Sequence, residues 1–228
     1  MELNADFSRR AVVHAAQMDW VPSPIAGVDR RMLDRIGDEV ARATSIVRYA
    51  PGSQFSRHTH GGGEEFLVLD GVFHDEHGEY PAGYYVRNPP TSAHTPGSTQ
   101  GCTLFVKLWQ FDPKDRTEIR LDTNTMQFAP DQHRPGVAVI PLFQDRWEMV
   151  RLERWEPDAR IELALPGGME LLVLEGDFIE DGEIFRPQSW LRLPCGSTLN
   201  AAAGRNGCRI WLKTAHLTHA RSTPRKAR

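Results

Sequence analysis

The chain has 228 residues and the composition of an ordinary globular protein, with 40% hydrophobic and 25% charged residues. A formal net charge of −3 and a pI of about 6.3 give no basic surface of the kind that binds nucleic acid. No apolar stretch approaches the length of a membrane span, and the N-terminus lacks the apolar core of a signal peptide. We therefore expect a cytoplasmic protein that binds neither nucleic acid nor membrane, with the basic tail 221–228 as a solvated end.

The first predicted element is a short helix over residues 8–18, in which His14 is exposed. Short β-type runs follow, and turn residues such as Pro51-Gly52 and His77-Gly78 separate them. The predicted strands cover 28–36, 41–49, 54–60, 65–73, 83–87 and 102–111. Many short strands at this spacing predict an all-β barrel or jelly roll.

Four residues with metal-binding side chains lie close together in this predicted β region: His58, His60, Glu64 and His94. The side chains of residues i and i+2 of a strand point to the same face, so the side chains of His58 and His60 point into the same space. Glycines at 61–63 let the chain turn back and deliver Glu64 beside them. Three neutral imidazoles and one carboxylate suit a first-row divalent ion such as Zn, Fe, Mn, Ni or Co.

Each of these histidines alone would more often be a surface or core residue, and only a metal site explains the whole set. Glu65 is the competing carboxylate, but strand alternation points it away from Glu64, so we expect it at the surface or behind the ligands. His74 and His77 lie in a predicted turn and should be solvated.

The cysteines and aromatic residues add no second reactive centre. Three cysteines, Cys102, Cys195 and Cys208, form no C-x-x-C pair, which argues against disulfides and a cysteine zinc site. Five aromatic residues could line a pocket, although an aromatic side chain on a barrel strand is more often part of the core. They are Phe66, Phe73, Tyr84, Tyr85 and Trp109.

The spacing of the ligand-type residues resembles the motifs of the cupin superfamily. The first motif is matched by Gly52, His58, His60, Glu64 and Gly71, and the second by Pro81, Gly83 and His94. The Asn that often follows the last histidine is absent, and Gly97 or Ser98 stands near its place. The resemblance implies a double-stranded β-helix whose metal ligands are His58, His60, Glu64 and His94.

More narrowly, residues 18–112 resemble the cupin-like domain of the ChrR anti-sigma factors, which hold zinc with such a set. This resemblance implies one divalent metal per chain, with zinc first and iron, manganese or nickel as alternatives. Those anti-sigma factors also carry an N-terminal helical domain with a His-x3-Cys-x2-Cys zinc motif. Here His14 is followed by Ala15, Ala16, Gln17 and Met18, and no cysteine precedes Cys102.

The strand pattern occurs twice in the chain. The segment 67–71, Leu-Val-Leu-Asp-Gly, returns as Leu-Val-Leu-Glu-Gly at 172–176, and Gly101-Cys102 returns as Gly207-Cys208. Pro81 likewise corresponds to Pro187 and Lys107 to Lys213. We predict two tandem cupin barrels: a metal-binding domain 18–112, a linker 113–125 and a degenerate domain 126–220.

The second predicted domain lacks the metal ligands. At the places of His58 and His60, this domain offers only Glu162, Leu163, Ala164, Leu165 and Pro166. The place of Glu64 falls on Met169 or Glu170, and that of His94 on Leu199 or Asn200. We expect this domain to be structural or an interaction surface.

Two functions are compatible with this sequence, and the resemblance to the ChrR domain favours the first over the second. The first is a zinc-binding sensor or regulatory module, with a sigma factor or another regulatory protein as partner. The second is an iron-dependent cupin dioxygenase acting on a small organic substrate. A metal that only stabilises the barrel and a homodimer are also compatible with the sequence.

Overall fold

Strands form nearly all the regular structure in a computed structural model of the chain, which describes residues 1–38 and 40–219. The all-β prediction is therefore confirmed. No helix among these residues is long and apolar enough to cross a membrane. The basic tail 221–228 lies outside the described residues.

The elements are numbered in chain order. The first fourteen strands are β1 (Glu2–Leu3), β2 (Ala11–His14), β3 (Val21–Pro22), β4 (Val28–Gly37), β5 (Ala41–Tyr49), β6 (Ser53–Gln54), β7 (His58–Thr59), β8 (Glu64–Asp75), β9 (Gly78–Pro81), β10 (Tyr84–Asn88), β11 (Ala93–His94), β12 (Gly97–Ser98), β13 (Cys102–Leu108) and β14 (Ile119–Asp122). The next eight are β15 (Ala129–Pro130), β16 (Val137–Gln144), β17 (Met149–Trp155), β18 (Arg160–Leu165), β19 (Met169–Glu180), β20 (Glu183–Phe185), β21 (Ser189–Leu193) and β22 (Ser197–Thr214). Three 3-10 turns cover Ala15–Gln17, Thr123–Thr125 and His216–His219.

The described chain divides into two compact units with the same strand order. Unit 1 comprises residues 1–5 and 19–125, and unit 2 comprises 6–18 and 126–219. The main sheet of unit 1 runs β1-β4-β5-β13-β8-β10-β14, and that of unit 2 runs β15-β16-β17-β22-β19-β21-β2. The two orders match strand for strand over their central five positions, as the sequence repeat predicts.

The last strand of each sheet comes from an unexpected part of the chain. In unit 1, β14 pairs with β10, and Asp122 lies opposite Tyr84. In unit 2, β2 pairs with β21, and His14 lies opposite Ser189. Both β2 and β14 are followed by a 3-10 turn and then by equivalent strands, β3 and β15. Each sheet is therefore completed by the strand that opens the other sequence repeat.

This arrangement corrects two predictions. The helix over 8–18 is wrong, because Val12 and Val13 lie in β2, where β-branched side chains favour extended backbone and β21 supplies the hydrogen bonds. His14 is only partly exposed, and its ring contacts Glu183 and Ser189. The segment 113–125 is not a free linker either, since Ile119–Asp122 forms the edge of the first sheet.

Each unit carries a row of three buried charges on neighbouring strands. In unit 1, Glu65 on β8 lies opposite both Lys107 on β13 and Arg87 on β10. The equivalent row of unit 2 is Glu170, Lys213 and Arg192. All six are at most 1% exposed. Because removing one member leaves a buried charge uncompensated, such a row restricts substitution at every position.

The position of Glu65 differs from the expectation of a surface residue. Alternation does place it on the face opposite Glu64, but that face is covered, and the Tyr85 hydroxyl donates a 2.6 Å hydrogen bond to Glu65 Oε1. Tyr85 is fully buried on the same face.

One glycine of β8, Gly71, and the equivalent glycine of β19, Gly176, lie where the second half of each strand begins. Gly71 has φ +72° and Gly176 has φ +67°, and a Cβ added there would lie within about 2.1 Å of the carbonyl oxygen of Gly101 or Gly207. Both the backbone conformation and the close approach of a neighbouring strand thus require glycine.

We expect Gly71→Ala and Gly176→Ala each to lower the free energy of unfolding by about 2 kcal/mol or more, because strain and a backbone clash add. Gly182→Ala is the matched control: its φ is +75°, but nothing lies within 4 Å of an added Cβ. This control should lose only about 1 kcal/mol. Urea unfolding followed by circular dichroism measures the three losses. Equal losses would contradict the clash at Gly71 and Gly176.

Candidate metal centre

Three histidines of unit 1 come together through a two-stranded ladder. His58 on β7 lies directly opposite His94 on β11. His60 continues the same ladder, since its N–H donates to Ser92 O and its carbonyl accepts from Thr91 N–H, both at 2.9 Å. One ring nitrogen from each histidine lies within 4.8 Å of the others.

The glycine turn that follows His60 is shaped by one aromatic ring. A Cβ on Gly62 would lie 2.4 Å from the Trp109 ring, and one on Gly61 would lie 2.9 Å from it. Gly63 has φ +78°, and its carbonyl accepts a 3.0 Å hydrogen bond from Trp109 N–H. Trp109, which the sequence left open as a pocket residue, therefore packs on the turn that leads from His60 to Glu64.

Glu64 lies at the edge of the histidine cluster. Its Oε2 is 3.4 Å from His60 Nε2 and 3.6 Å from His94 Nε2. The Asn88 side chain donates a 3.1 Å hydrogen bond to the same oxygen. Because Asn88 lies opposite Glu64 on β10, this bond holds the carboxylate towards the histidines.

The hydrogen bonds behind the rings determine which nitrogen of each histidine is free. His94 Nδ1 lies 3.2 Å from Asp75 Oδ2, and His58 Nδ1 lies 3.3 Å from the Ser56 carbonyl, and both of these oxygens only accept. His60 Nδ1 lies 3.0 Å from the Ser92 hydroxyl, which donates its own proton to Pro89 O. All three Nδ1 atoms are thus donors, which leaves three Nε2 lone pairs to bind an ion.

The buried environment is consistent with this assignment. His60 Nε2 is buried and makes no hydrogen bond within the part of the chain that the structure describes. Burial lowers the pKa of His60, partly opposed by the charge of Glu64, and this favours the neutral ring. For His94, burial also acts to lower the pKa, but the hydrogen bond to Asp75 and the Glu64 charge outweigh it and raise the pKa. A divalent ion would satisfy the otherwise unpaired His60 Nε2.

The three histidines of the cluster differ in their exposure. His58 is exposed, whereas His60 and His94 are buried. The Phe73 ring lies 5.8 Å from the His94 ring, and Phe66 packs on Phe73. Phe66 and Phe73 are 1% exposed and therefore core residues rather than an open pocket.

Unit 2 replaces the cluster with apolar side chains. Met169 lies opposite Leu193 and Thr214, as Glu64 lies opposite Asn88 and Leu108, so Met169 takes the place of Glu64 and Glu170 that of Glu65. Leu199, opposite Leu163, is fully buried, while Asn200 is exposed. Among the described residues, the only group of three or more candidate ligands is the one in unit 1.

Three residues that hold the donors in place were not predicted from the sequence: Asp75, Asn88 and Ser92. Asp75 and Ser92 each accept a hydrogen bond from a ligand-type histidine, and Asn88 donates one to Glu64. Asn88 could have been found from hairpin register, because it pairs with Glu64 across β8 and β10. Asp75 gives no such signal, since 19 residues separate it from His94.

Comparison with known proteins agrees with the fold and with the motifs. Residues 8–112 match the family model described as the ChrR cupin-like domain. This match identifies residues 8–112 as similar to a cupin-like domain, and the structural neighbours show that the fold of the chain is that of cupin barrels. No curated protein matches the sequence significantly.

Three solved structures illustrate the fold similarity. A putative dioxygenase from Nostoc punctiforme has 15% identity and a TM-score of 0.70, covering 100% of this chain and 87% of its own. The protein Ylba from E. coli has 13% identity and a TM-score of 0.69, covering 92% and 93%. The pirin YhhW of Escherichia coli, in complex with nickel(II), has 14% identity and a TM-score of 0.62, covering 90% and 98%.

Replacing a ligand-type histidine should remove the ion. We expect His58→Ala and His94→Ala each to reduce the metal content of the purified protein by at least about tenfold, because each removes one of few donors. His77→Ala is the control, since its side chain is exposed in a nearby turn. Elemental analysis of the three variants makes the comparison, and metal retained in both ligand variants would refute the assignment.

A methyl group on Gly62 should disturb the turn between His60 and Glu64. Because its Cβ would meet the Trp109 ring, we expect Gly62→Ala to cost about 1–3 kcal/mol of unfolding free energy and to weaken metal binding. The combined variant Gly62→Ala/Trp109→Ala should lose less than the sum of the two single changes. Thermal unfolding of the four proteins tests this coupling, and strictly additive losses would exclude it.

Proposed function

We propose that the chain is a metal-dependent cupin in which His58, His60, Glu64 and His94 hold one divalent ion with its accessible side turned to solvent. The observation that carries the proposal is the exposure of His58 beside the buried His60 and His94. An ion that only stabilised the barrel would gain nothing from an open side. An ion that binds a small molecule needs an open side through which that molecule can reach it.

We further propose that the reaction is oxidation of a small organic substrate by dioxygen. Four protein donors leave coordination positions free on a six-coordinate ion, and a redox-active ion such as iron, manganese or nickel would activate substrate and dioxygen there. The chain itself would present three neutral imidazoles and one carboxylate, and it would exclude water on the side of Phe73. The similarity in fold to a protein named a putative dioxygenase, over the whole of this chain, supports this choice.

A zinc-binding regulatory module is the second candidate. The match of residues 8–112 to the ChrR cupin-like domain favours it, with a sigma factor or another regulatory protein as partner. The zinc motif that begins with a histidine in those anti-sigma factors has no counterpart at His14. That ring instead contacts Glu183 Oε1 and Ser189 Oγ, both at 2.9 Å. Any regulatory partner would then bind another surface.

Metal identity and oxygen uptake separate the two candidates. We expect protein purified without an affinity tag to contain one iron, manganese or nickel ion per chain and to consume oxygen when a substrate from a panel of small aromatic and diketone compounds is added. His94→Ala is the control, and it should neither contain the ion nor consume oxygen. One zinc ion per chain and no oxygen uptake with iron-loaded protein would contradict the dioxygenase and favour the regulatory module.

A further inference from the structure

A chain of hydrogen bonds runs away from His94 towards the surface of unit 1. Asp75 Oδ2 lies 3.2 Å from His94 Nδ1, and the Tyr80 hydroxyl lies 3.0 Å from Asp75 Oδ1. Arg120 Nε lies 3.0 Å from the Tyr80 oxygen, and Arg120 Nη1 lies 3.0 Å from Glu118 Oε2. The proposed ligand set accounts for His94 and for none of the other four residues.

We propose that Asp75 is a positioning residue of the metal centre, and that Tyr80 and Arg120 hold its carboxylate against His94. The inference rests on the proposed metal site. In this proposal, Asp75, Tyr80 and Arg120 influence the strength and geometry of metal binding without contacting the ion themselves. Arg120 lies on β14.

The direction of each hydrogen bond follows from the chemistry of its ends. Arginine can only donate, and an ionised carboxylate can only accept. The Tyr80 hydroxyl accepts from Arg120, so its own proton is given to Asp75. Asp75 must also accept from His94, which fixes the proton on Nδ1 and leaves Nε2 for the ion.

Burial makes the Asp75 charge effective. Its side chain is 1% exposed, and its Oδ1 also accepts a 2.8 Å hydrogen bond from His77 N–H. The bonds from His94, His77 and Tyr80 give this carboxylate three hydrogen-bond donors. A negative charge on the far side of an imidazole makes its free nitrogen a stronger donor to a cation.

A purely structural role is the alternative. The bond from His77 N–H to Asp75 closes an Asx turn at the tip of the β8–β9 hairpin, and that turn alone would favour an aspartate. An asparagine can also close this turn. Asp75→Asn therefore keeps the size and the turn, and it removes the charge that His94 contacts.

The test uses Co²⁺ as probe, because its visible absorption bands report the ligand field as well as binding. The full chain is freed of metal and titrated with Co²⁺ in competition with a chelator. We expect wild-type protein to bind one Co²⁺ and Asp75→Asn to bind one Co²⁺ about 10–100-fold more weakly, with shifted bands. Tyr80→Phe should weaken binding in the same direction by less.

Two matched variants control for general damage. Asp70→Asn changes an exposed aspartate on the same strand, and Tyr84→Phe removes a hydroxyl from the ring that packs on Tyr80 at 5.5 Å. Both should bind Co²⁺ within about twofold of wild type, because the hydrogen bonds that join His94, Asp75, Tyr80 and Arg120 involve neither of the groups removed.

The outcomes separate this inference from the proposed site. If Asp75→Asn binds Co²⁺ as tightly as wild type with unchanged bands, the positioning role is wrong, whatever happens to its melting temperature. If wild-type protein binds no Co²⁺, or His94→Ala binds it unchanged, the metal site itself is wrong and the inference falls with it.

Discussion

The candidate site depends on one requirement: three imidazoles must turn the same nitrogen towards a common point. Each ring is oriented by a hydrogen bond from its Nδ1 to an acceptor. The acceptor is Asp75 for His94, the Ser92 hydroxyl for His60 and the Ser56 carbonyl for His58. The β7–β11 ladder places the rings, and the glycine turn under Trp109 brings Glu64 to them. Without the acceptors the rings could rotate or change tautomer, and the donors would no longer converge.

The two units show which features belong to the fold and which to the chemistry. Both keep a left-handed glycine against a neighbouring carbonyl, at Gly71 and Gly176. Both also keep a buried Lys, Glu and Arg in the same cross-strand register. Among the described residues, the cluster of ligand-type histidines occurs only in unit 1, where Glu64 stands in the place of Met169. In unit 2 the same strand order therefore forms around apolar side chains, among them Leu165, Met169 and Leu199.

Local patterns in the sequence predicted most of the strands and the convergence of His58, His60, Glu64 and His94. These features depend on strand alternation and on turn glycines, which act over a few residues. The exchange of β2 and β14 could not be predicted, because which edge a short strand joins is decided by contacts far apart in the chain. Strand alternation likewise predicted that Glu65 lies on the face of β8 opposite Glu64, but it did not predict that this face is buried. Asp75 was missed for the same reason, since its contact with His94 joins two separate hairpins.

X-ray absorption spectroscopy of the metal-loaded chain would show whether these four side chains hold the ion, because it reports the atoms bound to the ion. We predict a nitrogen and oxygen shell at about 2.0–2.2 Å with the scattering pattern of three imidazoles. Replacing His60 by alanine should lower that number to two or abolish binding. A sulfur neighbour at about 2.3 Å, or a shell without imidazole, would contradict the assignment of the ion to His58, His60, Glu64 and His94.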